Sequence, residues 1–276
     1  MAVQPPSPSE LTPSHEFVAE DFHAATTALL EVALNHASMG FVGVRPSRLN
    51  TTVEDIIDPT VFWSDDHGSF EPVTAAFESS DVSWYQTQFP EADDDFRRLW
   101  ALEAGRSVRF LQEFCVCNAN DWIVYVIPHH EHLMVNAPDK EFASEVNNAL
   151  THLWACIVPA GTRITWEYDG CKHAIDGGTL QVKRSKMGYA GRYSLLNLFR
   201  VTPRPQSLTL SLEWHRETRS GLIGRFIDGI QSIVGGPPDR LRFEDETTMQ
   251  EAETVLHETI ETMHPKRTAA EIDERV

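Results

Sequence analysis

At 276 residues, with 41% hydrophobic and 23% charged side chains, the chain suits one large domain or two small ones and can bury a substantial core. Its net charge of −18 makes nucleic acid an unlikely partner, because most of the surface would repel phosphate. Four cysteines are too few for a disulfide scaffold, and no cationic segment followed by an apolar run opens the chain, so the expected setting is cytoplasmic.

Residues 1–13 carry Pro5, Pro6, Pro8 and Pro13 and read as a disordered arm. Val18, Phe22, Ala25, Leu29, Val32 and His36 recur at spacings of three and four, which predicts a helix over 14–38 that Gly40 ends. Gly40–Val44 reads as a short strand stopped by Pro46, and a short helix is expected near 52–57. Asp93-Asp94-Asp95 precedes Phe96, Leu99 and Trp100. A triple-Asp run has the look of a metal or pyrophosphate site, but anions at a helix N-terminus also complement the helix dipole, and that reading is preferred.

Three strands are predicted at 107–117, 121–128 and 131–136, with Asn118–Asp121 as a turn. Trp122–Ile127 is apolar at every position, so it belongs at the centre of a sheet covered on both faces; at six residues it is too short to span a membrane. Cys115 and Cys117 share one strand face, and His130 and His132 another, the ingredients of a Cys2His2 zinc site. In a meander these pairs stand two strands, roughly 9–10 Å, apart, too far for one metal. Another strand order would bring them together; a polar turn is the simpler reading.

A helix is predicted over 139–157, with Phe142, Val146, Leu150, Leu153, Trp154 and Ile157 on one stripe. Ile164, Trp166 and Tyr168 alternate with polar residues, as do Leu180 and Val182, and Leu208, Leu210, Leu212 and Trp214. Each predicts a half-buried antiparallel strand. Residues 192–201 fit strand or helix. Cys171-Lys172-His173 reads as a glycine-flanked turn holding the parts of a Cys–His nucleophile. Asp176 with Gln181-Val182-Lys183 faintly resembles the active-site strand of restriction-type nucleases, with Gln181 in place of the usual acid and a spacing that is too short.

Residues 220–234 and 244–263 read as two helices separated by Gly235-Gly236-Pro237-Pro238. In the first, Leu222, Ile223, Phe226, Ile227 and Ile230 form an apolar stripe beside Arg225, interrupted by Gly221, Gly224 and Gly229. Such a segment suits a membrane surface or a partner. In the second, His257, Glu258, Glu261 and His264 resemble a zinc-protease helix, but Glu261 stands where the second histidine belongs.

The charge is unevenly placed. Residues 1–159 hold 7 Lys+Arg against 24 Asp+Glu (−17), residues 160–236 hold 11 against 6 (+5), and residues 237–276 hold 5 against 11 (−6). The expected architecture is α+β, with a largely antiparallel central sheet flanked by helices over 14–236 and an acidic C-terminal helix in 239–276 packing on it.

No catalytic, metal or cofactor set stands out, so the first functional reading is a soluble, non-enzymatic protein acting through contacts with a protein partner or with itself. In the alternative, Lys183, Arg184 and Lys186 with Leu222, Ile223, Arg225, Phe226, Ile227 and Ile230 meet an anionic lipid membrane or a partner, and the acidic C-terminal helix covers them. That layout resembles the small microbial gasdermin-like pore formers, which implies autoinhibited membrane action. A hydrolase or nuclease using Asp176 and Lys183, or Cys171 and His173, is the third reading.

Overall fold

The computed structural model describes residues 4–45, 70–74, 82–104, 111–119, 121–184, 189–215 and 236–263. The fold is α+β with antiparallel sheets and a C-terminal helix, and it divides into two units, Met1–Leu153 and Trp154–Val276.

The first unit runs β1 (His15–Ala19), α1 (Phe22–Asn35), β2 (Met39–Val44), β3 (Glu71–Val73), β4 (Ser83–Gln88), α2 (Asp93–Ala104), β5 (Leu111–Cys117), β6 (Trp122–Ile127), β7 (His132–Val135) and α3 (Lys140–Leu150). Its strands stand in the order β3-β4-β2-β5-β6-β7-β1. The helix predicted over 14–38 is a strand followed by a helix. Asp21 divides them: its Oδ1 accepts from the Ala24 N–H at 3.1 Å and caps α1. Val18 only shared the spacing of the true helical stripe, Ala25, Leu29 and Ala33, which is fully buried. Gly40 does not end the helix, which stops at Asn35; it lies within β2, where a Cβ would meet the Phe89 ring at 3.0 Å.

Strand β6 sits between β5 and β7, with Trp122 to Val126 all buried. On one face, Phe114 of β5 meets Phe96 and Trp100 of α2 with ring centroids 5.5 and 5.4 Å away. Trp100 also donates its indole N–H to Thr27 of α1 at 2.8 Å. On the other face, Phe41, Trp84, Cys115, Cys117, Trp122, Tyr125 and Met134 form one apolar cluster. Asp139 caps α3 by accepting from the Phe142 N–H at 2.9 Å, and Phe142, Val146 and Leu150 are fully buried. This helix is shorter than its stripe suggested. The chain turns after Leu150, Trp154 takes a left-handed backbone (φ 47), and Cys156-Ile157-Val158 extends into a strand, as β-branched residues before Pro159 favour.

The second unit runs β8 (Ala155–Pro159), β9 (Thr162–Tyr168), β10 (Cys171–Asp176), β11 (Thr179–Arg184), β12 (Tyr189–Ser194), β13 (Leu198–Arg204), β14 (Thr209–Trp214), β15 (Arg240–Arg242) and α4 (Glu246–Met263). It holds a four-stranded sheet, β12-β11-β10-β9, and a three-stranded sheet, β13-β14-β15. The Trp166 indole N–H of β9 donates to the Arg242 carbonyl of β15 at 3.2 Å, and Trp166 stacks on Phe243 with centroids 5.0 Å apart. Helix α4 starts where Asp245 accepts from the Thr248 N–H at 2.8 Å, bonds that hold the Asp245 carboxyl below its ordinary value. Its buried stripe, Met249, Ala252, Leu256 and Met263, packs toward β8, β9 and β13.

Candidate functional site

The three-stranded sheet of the second unit has two unlike faces. Its inner row is Val201 of β13, Leu210 and Leu212 of β14 and Leu241 of β15, all at most 5% exposed. Alternation along each strand sends the intervening residues to the other side. Those are Arg200, Thr202 and Arg204 of β13, Thr209, Ser211 and Glu213 of β14, and Arg240 and Arg242 of β15.

Register arranges these residues in rows. Arg204 and Arg242 both lie opposite Thr209, so two arginines flank one threonine at two strand spacings, roughly 9–10 Å between backbones. Thr202 and Arg240 both lie opposite Ser211. Arg200 lies opposite Glu213, and their side chains approach to 3.5 Å. All four arginines are exposed. Among the described residues, Glu213 is the carboxylate paired on this face, and Arg204, Arg240 and Arg242 have no ion pair. The Thr209 hydroxyl donates to the Ser207 carbonyl at 2.9 Å, while the Ser211 Oγ is buried without a hydrogen-bond partner. Planar guanidinium groups beside hydroxyls suit a carboxylate or another oxyanion.

A second cationic face lies on the four-stranded sheet. Lys172 of β10 is opposite Lys183 of β11 and Glu167 of β9, and Arg192 of β12 is opposite Gln181; both lysines and Arg192 are exposed. Like charges directly opposite one another weaken a sheet, and Glu167, opposite Lys172 on the other side, offsets part of the Lys172–Lys183 repulsion.

Of the residues singled out from the sequence, Lys183 stands on this face. Arg184 ends β11 opposite Cys171. Lys186, Leu222, Ile223, Arg225, Phe226, Ile227 and Ile230 lie outside the described residues, as does the helix expected near 52–57. The arginine face was missed. Its signal was the polar half of two alternations, Arg200-Val201-Thr202 and Arg240-Leu241-Arg242, but the shared partner Thr209 is a product of strand order.

The other constellations come apart. Cys117 pairs with Trp122 at one end of β6 and His132 with Ile127 at the other, so the zinc ingredients are separated along the strands as well as across them. Asp93, Asp94 and Asp95 begin α2, where Arg97 reaches Asp93 at 3.6 Å, Asp94 at 3.5 Å and Glu31 at 3.0 Å. Burial raises the Asp93 carboxyl above its ordinary value against the pull of Arg97.

Cys171 and His173 lie in a strand rather than a turn; the turns are Asp169-Gly170 and Gly177, all at positive φ, on either side. The His173 ring lies flat on Trp166, 4.9 Å away and 8° from parallel, and burial lowers its pKa. Asp176 accepts from Gln181 at 2.8 Å and Thr162 at 3.2 Å. Lys183 is four residues up β11 from Thr179, the partner of Asp176, roughly 13 Å away. Among the described residues, no group of three or more His, Cys, Asp or Glu is placed to hold a metal, and no helix is long and apolar enough to cross a membrane. No family model, curated protein or solved structure matches the chain.

Proposed function

We propose that this is a binding protein that acts through contact with an acidic protein surface, and that the outer face of β13, β14 and β15 makes the contact. The observation that carries the reading is the set Arg204, Arg240 and Arg242, exposed and free of ion pairs among the described residues. Arginine serves such interfaces well because its rigid fork meets a carboxylate with two parallel hydrogen bonds. The face is held open by a buried apolar row beneath it, so it needs no rearrangement to bind.

The first unit supplies most of the chain's negative charge, so a second copy offers one acidic surface and a different protein another. The experiment is capture of partners by the full chain at low and high salt, alongside a mass measurement of the assembly. The expected result is a salt-sensitive complex that the Arg204→Glu/Arg242→Glu variant loses. A strictly monomeric chain that captures nothing overturns the reading.

A second reading is favoured by one contact. Arg163 of β9 donates to Glu258 and, at 3.1 Å, to Thr259 of α4, so the acidic helix is pinned to a strand by that arginine. Displacing that helix would offer the strands to anionic lipid. Leu241, Phe243, Met249 and Leu256 belong to the core, so the test keeps the full chain and loosens the pin with Glu258→Lys. Leakage of anionic vesicles by that variant, absent with the parent, supports membrane action; silent vesicles remove it.

A further inference from the structure

The apolar cluster on one face of the first unit's sheet contains a sulfur group that the binding face does not use. Cys115 and Cys117 alternate along β5 and point to the same side, and their Sγ atoms are 3.5 Å apart. Met39 of β2 is the residue directly opposite Cys117 and packs against the same cluster. Directly opposed residues in an antiparallel pair have backbones roughly 4.5–5.5 Å apart and side chains on one face, within reach of a thioether.

We propose that Cys115, Cys117 and Met39 form a site for a soft monovalent metal ion of the copper(I) class. Thiolate and thioether donors select such ions over harder ones. With metal–sulfur bonds of about 2.3 Å, two sulfurs 3.5 Å apart subtend roughly 100° at the metal, which leaves the third side open to Met39. Zinc is disfavoured: its usual fourfold set needs two more His, Cys or carboxylate ligands, and none joins the cysteines among the described residues. Phe41, Trp122 and Tyr125 wall the group with apolar surface that keeps out water. Entry is from the Cys117 end, where Met39 is half-buried and the strand meets the Asn118–Asp121 turn. On binding, a metal–sulfur bond replaces each S–H bond, and the two protons leave by the Cys117 end, where the less buried of the two thiols lies. The ion enters and remains in the +1 state, so no electron is transferred.

The test uses the full reduced chain under anaerobic conditions, titrated with Cu(I) in competition with a chromogenic Cu(I) chelator, with near-ultraviolet thiolate-to-copper absorption as a second readout. One equivalent is expected to move from the chelator to the protein. Cys117→Ala abolishes the uptake and the absorption band, Cys171→Ala leaves both unchanged, and Met39→Leu, which keeps the apolar volume, weakens binding at least tenfold. Failure of the parent chain to take copper overturns the proposal, as does equal uptake by Cys117→Ala. Should Cys117→Ala not fold, Met39→Leu decides, and unchanged affinity in that variant overturns the three-sulfur site.

Discussion

Strand β6 of the first unit and strand β14 of the second are both central in their sheets, yet their sequences follow opposite rules. In β6 (Trp122-Ile-Val-Tyr-Val-Ile127) every position is apolar and the first five are buried: aromatic residues of α2 pack on one face of the sheet, and on the other β6's own Trp122 and Tyr125 pack among Phe41, Trp84, Cys115, Cys117 and Met134, with Leu11 against them. In β14 (Thr209-Leu-Ser-Leu-Glu-Trp214) apolar residues occupy alternate positions; Leu210 and Leu212 are buried on the core side, and the other side runs from buried Thr209 through half-buried Ser211 to exposed Glu213. Charge is placed accordingly in the two units. The sheet of the first unit pairs the charge it holds within, as Glu113 of β5 accepts from the Tyr125 hydroxyl, and leaves charges such as Asp93 to Arg97 to the start of α2. In the three-stranded sheet of the second unit the exposed charge collects on the two outer strands, as Arg200, Arg204, Arg240 and Arg242.

The sharpest way to break the comparison is to exchange the roles of the two sides of β14. Leu210 is fully buried on the inner side, and Leu210→Ala is expected to cost about 2–5 kcal/mol in denaturant unfolding. A loss below about 1 kcal/mol would mean that the inner row is not the foundation of the face.

Arg163 ties the acidic helix to its strand, and Arg163→Ala is expected to cost about 1 kcal/mol, since it deprives Thr259 of a donor and Glu258 of its charge partner. An unchanged unfolding midpoint would show that α4 is held by its apolar stripe alone.

Acid provides a milder probe that separates the units. Burial lowers the pKa of His173 in the second unit and of His15 in the first below the ordinary 6.5. The folded state then binds protons less readily than the unfolded one, so each histidine's contribution is complete above pH 6.5 and is lost as pH falls through its folded value. Stability measured by denaturant should decline on acidification from neutrality, and His173→Phe should flatten that decline for the second unit. An identical pH profile in the variant would contradict the account of the Trp166 stack.

The smallest expected effect is on the outer side of β14's neighbours. Arg204→Ser with Arg242→Ser should leave stability within about 0.5 kcal/mol, because these exposed arginines have no ion pair among the described residues. A larger loss would make these residues structural rather than recognitive.

The sequence made some of this legible for reasons that can be traced. The unbroken apolar run at 122–127 and the alternation at 164–168 and 208–214 each carry their period openly, although Leu208 itself takes a left-handed backbone just before the strand. The 15–19 strand was hidden because Val18 and Phe22 fall by chance at helical spacing with the stripe of α1. The overlong helix through Ile157 failed for the same reason. Its last apolar residue, Ile157, faces a core, but from a strand beyond the left-handed turn at Trp154, and Leu153 and Trp154 are only partly buried in that turn. Cys171–Asp176 looked like a turn because turns flank it closely. The arginine face was illegible because Arg204 and Arg242 meet across Thr209 from strands 36 residues apart at their nearest ends, and no local pattern encodes strand order.

The most direct test of the central claim is a titration of the full chain with poly-L-glutamate at about 50 mM and about 200 mM salt, where screening separates charge-driven from other binding. The account predicts binding by the parent chain that weakens with salt, and at least tenfold weaker binding by Arg204→Glu/Arg242→Glu with its fold intact. Equal affinity of the parent and the charge-reversed variant would contradict it.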